Sequence, residues 1–132
     1  KGAEIVDEIV GDLGLGAFPH IEVLRNVVLF HHEAIDGSGY PEGLAGSRIP
    51  VEARIVAVAD VFDALTSERP YKAAWSREAA LGYLSEGVGT KFDAECVSVL
   101  LTRAPEVEEI GLRFRDDEGP SYQSREGYTL DL

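Results

Sequence analysis

The chain has 132 residues, with 12 basic and 24 acidic side chains and a formal net charge of −12 at pH 7. A field of this sign repels polyanions and excludes broad binding to the backbone of nucleic acids. Hydrophobic residues make up 45% of the chain, enough for a packed core, yet no stretch approaches the ~20 apolar residues of a membrane span. The single cysteine, Cys96, predicts a buried, reduced thiol and a cytoplasmic location.

The amino-terminal segment predicts a short amphipathic helix followed by a loop. Residues 2–10 repeat apolar side chains every four positions, which is helical spacing. Glycines and a proline within residues 11–19 break this pattern and predict the loop. His20 closes the loop and is interpreted as a surface or capping residue, not as a metal ligand.

A second helix is predicted from Ile21, and it carries two adjacent histidines. Apolar residues recur at helical spacing as far as Ile35, which places His31 and His32 on or beside the buried stripe. Four consecutive apolar residues at 27–30 leave a short strand open as the competing interpretation, but the longer pattern favours the helix.

Residues 36–50, with the sequence DGSGYPEGLAGSRIP, predict a long ordered loop. A loop of this length without periodicity is usually functional or disordered. Tyr40, Leu44 and Ile49 supply apolar anchors, so we expect the loop to pack on the body of the domain. Pro50 suits the first turn of the helix that follows.

The longest predicted helix covers residues 51–67. Its apolar positions alternate by four and three and define a continuous core stripe of Val51, Ile55, Val58, Phe62 and Leu65. Asp60 lies among small apolar residues, and a carboxylate in such surroundings must pair with a cation or shift its pKa. Pro70 sets the end of the helix near residues 67–69.

Two shorter helices and an acidic tail complete the chain. Ser76 is the predicted N-cap of a helix over residues 77–86, and Asp93 caps another helix that ends before Pro105. Residues 106–132 are acidic and weakly periodic. An alternation typical of a short strand occurs there at Ile110, Leu112 and Phe114.

The densest chemistry lies in residues 31–44, HHEAIDGSGYPEGL, where two histidines suggest a metal site. Neighbouring helical residues point about 100° apart, so one ion would use His31 and His32 poorly, whereas two ions could each take one imidazole. Asp60 could add a carboxylate, a mixture common in sites with two metals. The alternative, a histidine pair at the core edge bonded to the backbone or to Glu33, stays open.

Three further features of the sequence give weaker indications of phosphate or nucleotide binding. Glycine-rich loops let backbone N–H groups approach phosphate, but most are simply turns. Arg69 and Lys72 are either phosphate-binding cations or the solvated end of a helix. Tyr40 could stack on a base or bond a phosphate, or it could equally fix the loop to the core.

The chain resembles the HD-GYP family of bacterial cyclic di-GMP phosphodiesterases in three stretches, HHEAIDGSGYPEGL, IPVEARIVAVADVFDALTSERPYK and GTKFD. The first stretch contains HHE-x-x-DG-x-GYP, the signature that defines the family. The resemblance covers residues 20–101, and residues 2–10 are similar to the preceding family helix. It implies an all-α, HD-domain-like helical bundle, incomplete here because its amino-terminal helices are absent from the chain.

The resemblance also implies a site of two or three divalent metal ions, iron or manganese, that activates water to hydrolyse the phosphodiester. Carried over position by position, it makes His31, His32 and Asp60 metal ligands and leaves no separate catalytic residue in this chain. By the same resemblance, the residues that contact the substrate are Gly39, Tyr40, Arg69 and Lys72.

One departure from the family pattern concerns the remaining ligands. In the family, the His-Asp pair that names the superfamily, another histidine and an acidic ligand lie upstream of these motifs, and this sequence contains none of them. We therefore expect residues 1–105 to be the carboxyl-terminal part of an HD-GYP domain and residues 106–132 to be an acidic extension. The intact protein is then the enzyme, and this chain alone is expected to be inactive.

The implied partners are cyclic di-GMP, an attached sensory or receiver domain and a diguanylate cyclase (GGDEF) domain, with no nucleic acid and no membrane in this segment. A competing hypothesis is a catalytically degenerate module that binds a signalling partner through residues 36–50, the GYP loop. A third is a related HD phosphohydrolase acting on another nucleotide or cyclic dinucleotide. The residues upstream of Lys1 discriminate between them, because an intact His-Asp pair favours the enzyme.

Overall fold

The computed structural model describes residues 2–14, 16 and 19–117. Within these ranges the secondary structure is helical, with isolated bridges and no strand, which confirms the all-α prediction. A short 3-10 helix, Gly46–Arg48, lies in the loop between the second and third helices. The described α-helices are α1 (Gly2–Asp12), α2 (Ile21–Phe30), α3 (Val51–Thr66), α4 (Arg77–Glu86), α5 (Ala94–Thr102) and α6 (Ala104–Asp117).

Helix α3 is the centre of the fold and packs against α2, α4 and α5. A hydrophobic core cluster between α3, α4 and α5 consists of Val58, Leu84, Phe92 and Val97. Burial of a side chain of this size contributes about 1.5–3 kcal/mol. The cluster therefore fixes α3, which bears Asp60, against the loop between α4 and α5.

The two short helices begin where the sequence predicts. Ser76 Oγ accepts a hydrogen bond from the backbone N–H of Ala79 at 3.1 Å, and α4 starts at the next residue after Ser76. Asp93 accepts the backbone N–H of Cys96 at 3.0 Å at the start of α5. The same carboxylate receives Arg54 Nη1 at 2.9 Å, which joins α3 to α5.

Helix α2 is shorter than predicted. It ends at Phe30, so the prediction of a helix continuing to Ile35 is wrong: His31 is the C-cap residue, and the chain turns at His32. The cause is the return of the loop over the helix end, where the Tyr40 N–H donates to the His32 carbonyl at 3.3 Å. The strand considered for residues 27–30 is also excluded, because they lie inside α2.

The core stripe predicted on α3 is only half right. Val58 and Leu65 are buried, but Val51 and Ile55 are 52% and 53% exposed. These two residues face an open groove of about 440 Å³ that is also lined by residues of α5 and α6. Within the described residues nothing fills this groove, so helical spacing alone overestimates burial there.

The carboxyl-terminal segment is also helical where it is described. The strand predicted at residues 110–114 is wrong, because this stretch lies inside α6. Ile110 and Leu112 are both more than half exposed, so their alternation does not mark a buried face. Residues 118–132 lie outside the described ranges, and the predicted division near residue 105 stays a prediction. None of the described helices is long and apolar enough to cross a membrane.

Candidate metal and substrate site

His31 and His32 lie side by side at the carboxyl end of α2. Their ring centroids are 4.0 Å apart and their planes are inclined by 40°. His31 Nδ1 lies 2.7 Å from the Val27 carbonyl oxygen, and because a carbonyl only accepts, the ring nitrogen donates. In the neutral ring this leaves Nε2 of His31 with the lone pair that a metal ion needs.

The His32 ring is covered on one face by Tyr40. The two ring centroids are 5.0 Å apart and the planes differ by only 18°, so the rings stack. Partial burial and the neighbouring His31 lower the pKa of His32 below its ordinary value, while the carboxylate of Asp60 opposes this shift. At neutral pH the His32 ring is therefore mainly neutral, the form that coordinates metals.

Asp60, the third ligand implied by the resemblance, lies in the middle of α3. The residue is exposed, so the expectation of apolar surroundings is wrong: the small alanines beside it leave the carboxylate open to solvent. Its charge still acts on the pKa of His32, in the direction that raises it. Imidazole and carboxylate donors suit first-row metal ions. Among the residues that the structure describes, however, no group of three or more His, Cys, Asp or Glu side chains is arranged to hold a metal.

Glu33 is not directed at a metal but organises the GYP loop. Its residue is only 5% exposed. Oε1 accepts the backbone N–H groups of Glu42 and Gly43 at 2.6 and 3.1 Å, and Oε2 accepts that of Leu44 at 3.1 Å. These three N–H groups are occupied by the protein's own carboxylate, so the loop does not offer them to a phosphate.

Gly39 allows the GYP loop to lie directly against the segment after α2. A Cβ at this position would come within 2.4 Å of Ala34 N and 2.6 Å of His32 O. Only glycine fits such an approach of backbone to backbone. Gly39 therefore sets the distance between Tyr40 and His32.

Tyr40 stays at the surface while it stacks on His32. The residue is 59% exposed, so the alternative that Tyr40 fixes the loop to the core is wrong. Ile49 performs that anchoring, since only 1% of it is exposed. The Tyr40 ring is thus free to contact a second flat group.

The segment after the histidines is also held by the loop between α4 and α5. Ile35 N–H donates to the Lys91 carbonyl at 3.3 Å, and Asp36 N–H donates to the Thr90 carbonyl at 3.0 Å. The Asp36 carboxylate accepts the Ser38 N–H at 2.9 Å. Hydrogen bonding from the Ser38 side chain, and then from this N–H, lowers the pKa of Asp36. The GYP loop is therefore bonded both to Glu33 and to the loop between α4 and α5.

Arg69 and Lys72 follow α3 and pair through their backbones, with reciprocal N–H···O bonds of 3.0 Å. The Lys72 ammonium donates to the Ala64 carbonyl at 3.1 Å and lies 5.9 Å from the centre of the Trp75 ring. Ala64 is one helical turn beyond Asp60. Both cationic residues are partly buried, so they are not a fully solvated helix end.

Comparison with known protein families identifies the family to which this chain belongs. A profile described as HD domain matches residues 14–96, a range that contains both histidines and Asp60. The chain belongs to the HD-domain family. The HD-domain fold inferred from the sequence resemblance is confirmed, and HD-domain phosphodiesterases are metal-dependent enzymes.

This HD domain has relatives that are named as phosphodiesterases. It is 58% identical over 94 residues to the cyclic di-GMP phosphodiesterase response regulator RpfG of Xanthomonas campestris, covering 71% of this chain and 25% of that protein. It is 38% identical over 114 residues to a cyclic di-GMP phosphodiesterase of Thermotoga maritima, covering 83% and 31%. These relatives confirm the resemblance to HD-GYP phosphodiesterases. The chain spans only about a quarter to a third of their length.

A solved structure shows a similar helical fold. The crystal structure of a cyclic GMP-AMP specific phosphodiesterase of Vibrio cholerae (V-cGAP3) matches with a TM-score of 0.59 at 26% identity. The match covers 77% of this chain and 25% of that chain. The HD domain described here is therefore similar in fold to a phosphodiesterase of cyclic dinucleotides.

Sequence reasoning missed the role of Glu33 within this HD domain. It considered Glu33 only as a hydrogen-bond partner of the histidines, whereas its carboxylate binds backbone groups nine to eleven residues later. No spacing rule connects these positions. The only signal was the density of glycine in the loop.

Proposed function

We propose that the protein is a metal-dependent phosphodiesterase that hydrolyses cyclic di-GMP in bacterial second-messenger signalling. The observation that carries this proposal is the contact of three rings: His31 and His32 lie 4.0 Å apart, and Tyr40 stacks 5.0 Å from His32. Nitrogens able to bind a metal thus adjoin a surface able to stack a base. The names of several relatives support the same activity.

The proposed centre holds two or three divalent ions, iron or manganese, which when bound activate water and polarise the phosphoryl oxygens. His31 and His32 each supply one imidazole nitrogen. Asp60 supplies a carboxylate oxygen. Because the described residues contain no group of three ligands around one ion, the proposed centre needs further ligands beyond these three side chains.

The remaining residues named from the resemblance bind and orient the dinucleotide in this proposal. The exposed ring of Tyr40 stacks on a guanine, an interaction worth about 1–3 kcal/mol for aromatic residues. Gly39 holds Tyr40 at the correct distance. Arg69 and Lys72 attract the phosphates, a local positive charge that a chain of net charge −12 requires. Lys72 keeps donors for this task, since an ammonium has three and Ala64 takes one.

A second candidate substrate is 3′3′-cGAMP. The chain is 47% identical over 70 residues to 3′3′-cGAMP-specific phosphodiesterase 3 of Vibrio cholerae, covering 53% of this chain and 15% of that protein. The degenerate binding module is not favoured, because the relatives are named as enzymes. One of them is named a response regulator, which supports an attached receiver domain. A GGDEF partner and a cytoplasmic location complete the proposal.

The test uses the full-length protein, purified without oxygen and loaded with Fe(II) or Mn(II). Cyclic di-GMP and 3′3′-cGAMP are supplied separately, and the linear and mononucleotide products are separated by chromatography. We expect cyclic di-GMP to be hydrolysed. A clear preference for 3′3′-cGAMP reassigns the substrate, and no hydrolysis of either with any metal contradicts the proposal.

Three variants test the assignment of ligands. His32→Ala and Asp60→Ala are each expected to abolish turnover and to lower the metal content measured by mass spectrometry. His20→Ala is the matched control, since His20 is exposed at the start of α2 and its side chain makes no capping bond. Full activity in either of the first two variants overturns the assignment.

A further inference from the structure

We propose that Glu33 is a positioning residue: its carboxylate holds the GYP loop so that Tyr40 lies on His32. This inference rests on the proposed function, in which Tyr40 orients the cyclic dinucleotide. Glu33 acts through Tyr40 and touches neither the substrate nor the metal. Its effect is therefore expected in substrate binding.

The surroundings of Glu33 show why it is held firmly. The residue is 95% buried, and a buried carboxylate is costly unless its oxygens are hydrogen-bonded. Within the described residues it has no cation as partner, and the N–H groups of Glu42, Gly43 and Leu44 take that place. Hydrogen bonds to an ionised acceptor are about twice as strong as neutral ones.

The position of these bonds connects Glu33 to Tyr40. Glu33 directly follows His32, and Glu42, its first donor, lies two residues after Tyr40. The bond between the Glu33 carboxylate and the Glu42 N–H thus closes a cyclic segment, residues 33–42, that contains Tyr40. Inside this segment, the Tyr40 N–H reaches the His32 carbonyl at 3.3 Å, a distance that adds only a weak second tie. The Glu33 bonds therefore restrain the chain directly after Tyr40, and together with the close approach at Gly39 they fix where Tyr40 lies.

The geometry requires a carboxylate and not merely a polar side chain. Glutamine keeps the size of Glu33 but replaces one acceptor oxygen by an NH₂ donor. In one orientation the NH₂ faces the backbone N–H of Leu44, and in the other it faces those of Glu42 and Gly43. Either way at least one buried N–H loses its acceptor, which destabilises the segment that contains it. His31 stays in place in this variant, because its own backbone and ring bonds go to Val27 in α2.

The experiment compares Glu33→Gln with Glu86→Gln in the full-length, metal-loaded protein. Glu86 is the matched control, since it is exposed at the end of α4 and has no side-chain hydrogen bond within the described part of the chain. We expect Glu33→Gln to raise KM for cyclic di-GMP about tenfold, the effect of one lost hydrogen bond. Its kcat should change less than about threefold, with unchanged metal content.

A second measurement needs no substrate. The protein is labelled with 3-fluorotyrosine, and the fluorine resonance of Tyr40 is assigned as the signal missing in Tyr40→Phe. In Glu33→Gln this resonance is expected to move towards the position of free fluorotyrosine, because the ring leaves His32. In Glu86→Gln it is expected to stay unchanged.

Each outcome decides the inference. An unchanged KM, or a loss of metal or of kcat with KM constant, overturns it by showing that Glu33 has no positioning role or belongs to the metal site. If the wild-type protein hydrolyses no cyclic dinucleotide, the proposed function fails and the Tyr40 resonance alone decides. If Glu33→Gln does not fold, Gly43→Ala replaces it, because alanine is strained at the φ of +69° that Gly43 adopts to bring its N–H to Glu33.

Discussion

Replacing Gly39 by alanine measures how closely the GYP loop must approach the histidines. A Cβ at this position would lie 2.4 Å from Ala34 N, 2.6 Å from His32 O and 2.7 Å from the carbonyl carbon of Glu33. All three are backbone atoms, and ordinary contacts of carbon begin near ~3.5 Å. The loop in Gly39→Ala must therefore retreat by about 1 Å.

A retreat of this size carries Tyr40 away from His32. Misplacement of a binding group by about 1 Å can cost about 100-fold in rate, so kcat/KM for cyclic di-GMP is expected to fall about 100-fold. Overpacking of this kind lowers the free energy of unfolding by about 1–3 kcal/mol. The helix content stays constant, because Gly39 lies in no helix.

Gly82→Ala is the matched control. Gly82 lies inside α4, and a Cβ there meets nothing within 4 Å. Alanine in a helix interior is more stable than glycine by about 0.5–1 kcal/mol, so the Tm should rise while the activity stays the same. Steady-state hydrolysis by the full-length protein and thermal unfolding followed by circular dichroism measure both effects. Wild-type activity in Gly39→Ala refutes the claim that this close approach sets the position of Tyr40.

Two further predictions concern the start of α5. The Cys96 N–H, and then Arg54, lower the pKa of Asp93 against the opposing effect of burial. The folded pKa lies below the unfolded value, so Asp93 stabilises the fold above about pH 4, and this contribution is lost as the pH falls through the folded pKa. Asp93→Asn should lower the Tm at pH 7 and reduce its decrease between about pH 5 and 3; an unchanged acid profile in thermal melts contradicts this. Burial, followed by the charge of Asp93, raises the pKa of Cys96 to about 11, so at pH 8 iodoacetamide should alkylate this thiol much faster in urea than in the native protein. Equal rates by mass spectrometry contradict that prediction.

The parts of the fold that could be predicted from sequence are those set by local bonds. Ser76 and Asp93 each cap a helix through a bond to an N–H three residues later, so the sequence shows the start of the helix directly. The exposure of Val51 and Ile55 depends instead on what lies across the groove from α3. Helical spacing shows which residues share a face but not what covers that face.

The candidate site likewise contains residues that the sequence could indicate and contacts that it could not. The spacing of His31, His32 and Asp60 suggested a metal site but left open a histidine pair bonded to the backbone, and the resemblance then favoured the metal site. The structure contains such a bond, from His31 to Val27, and it is compatible with a metal on the other ring nitrogen. The bond of Lys72 to Ala64, near the end of α3, joins residues eight positions apart and has no pattern that a sequence could show.

The bonds from Ile35 and Asp36 to the loop between α4 and α5 have a consequence for sequence variation. Both acceptors are main-chain carbonyls, of Lys91 and Thr90, so the identity of those two side chains is irrelevant to the contact. One inserted or deleted residue between Gly87 and Phe92 would instead shift both carbonyls along the chain and pull the histidine segment out of register. The length of this distant turn therefore matters more to these two hydrogen bonds than the side chains of Thr90 and Lys91 do.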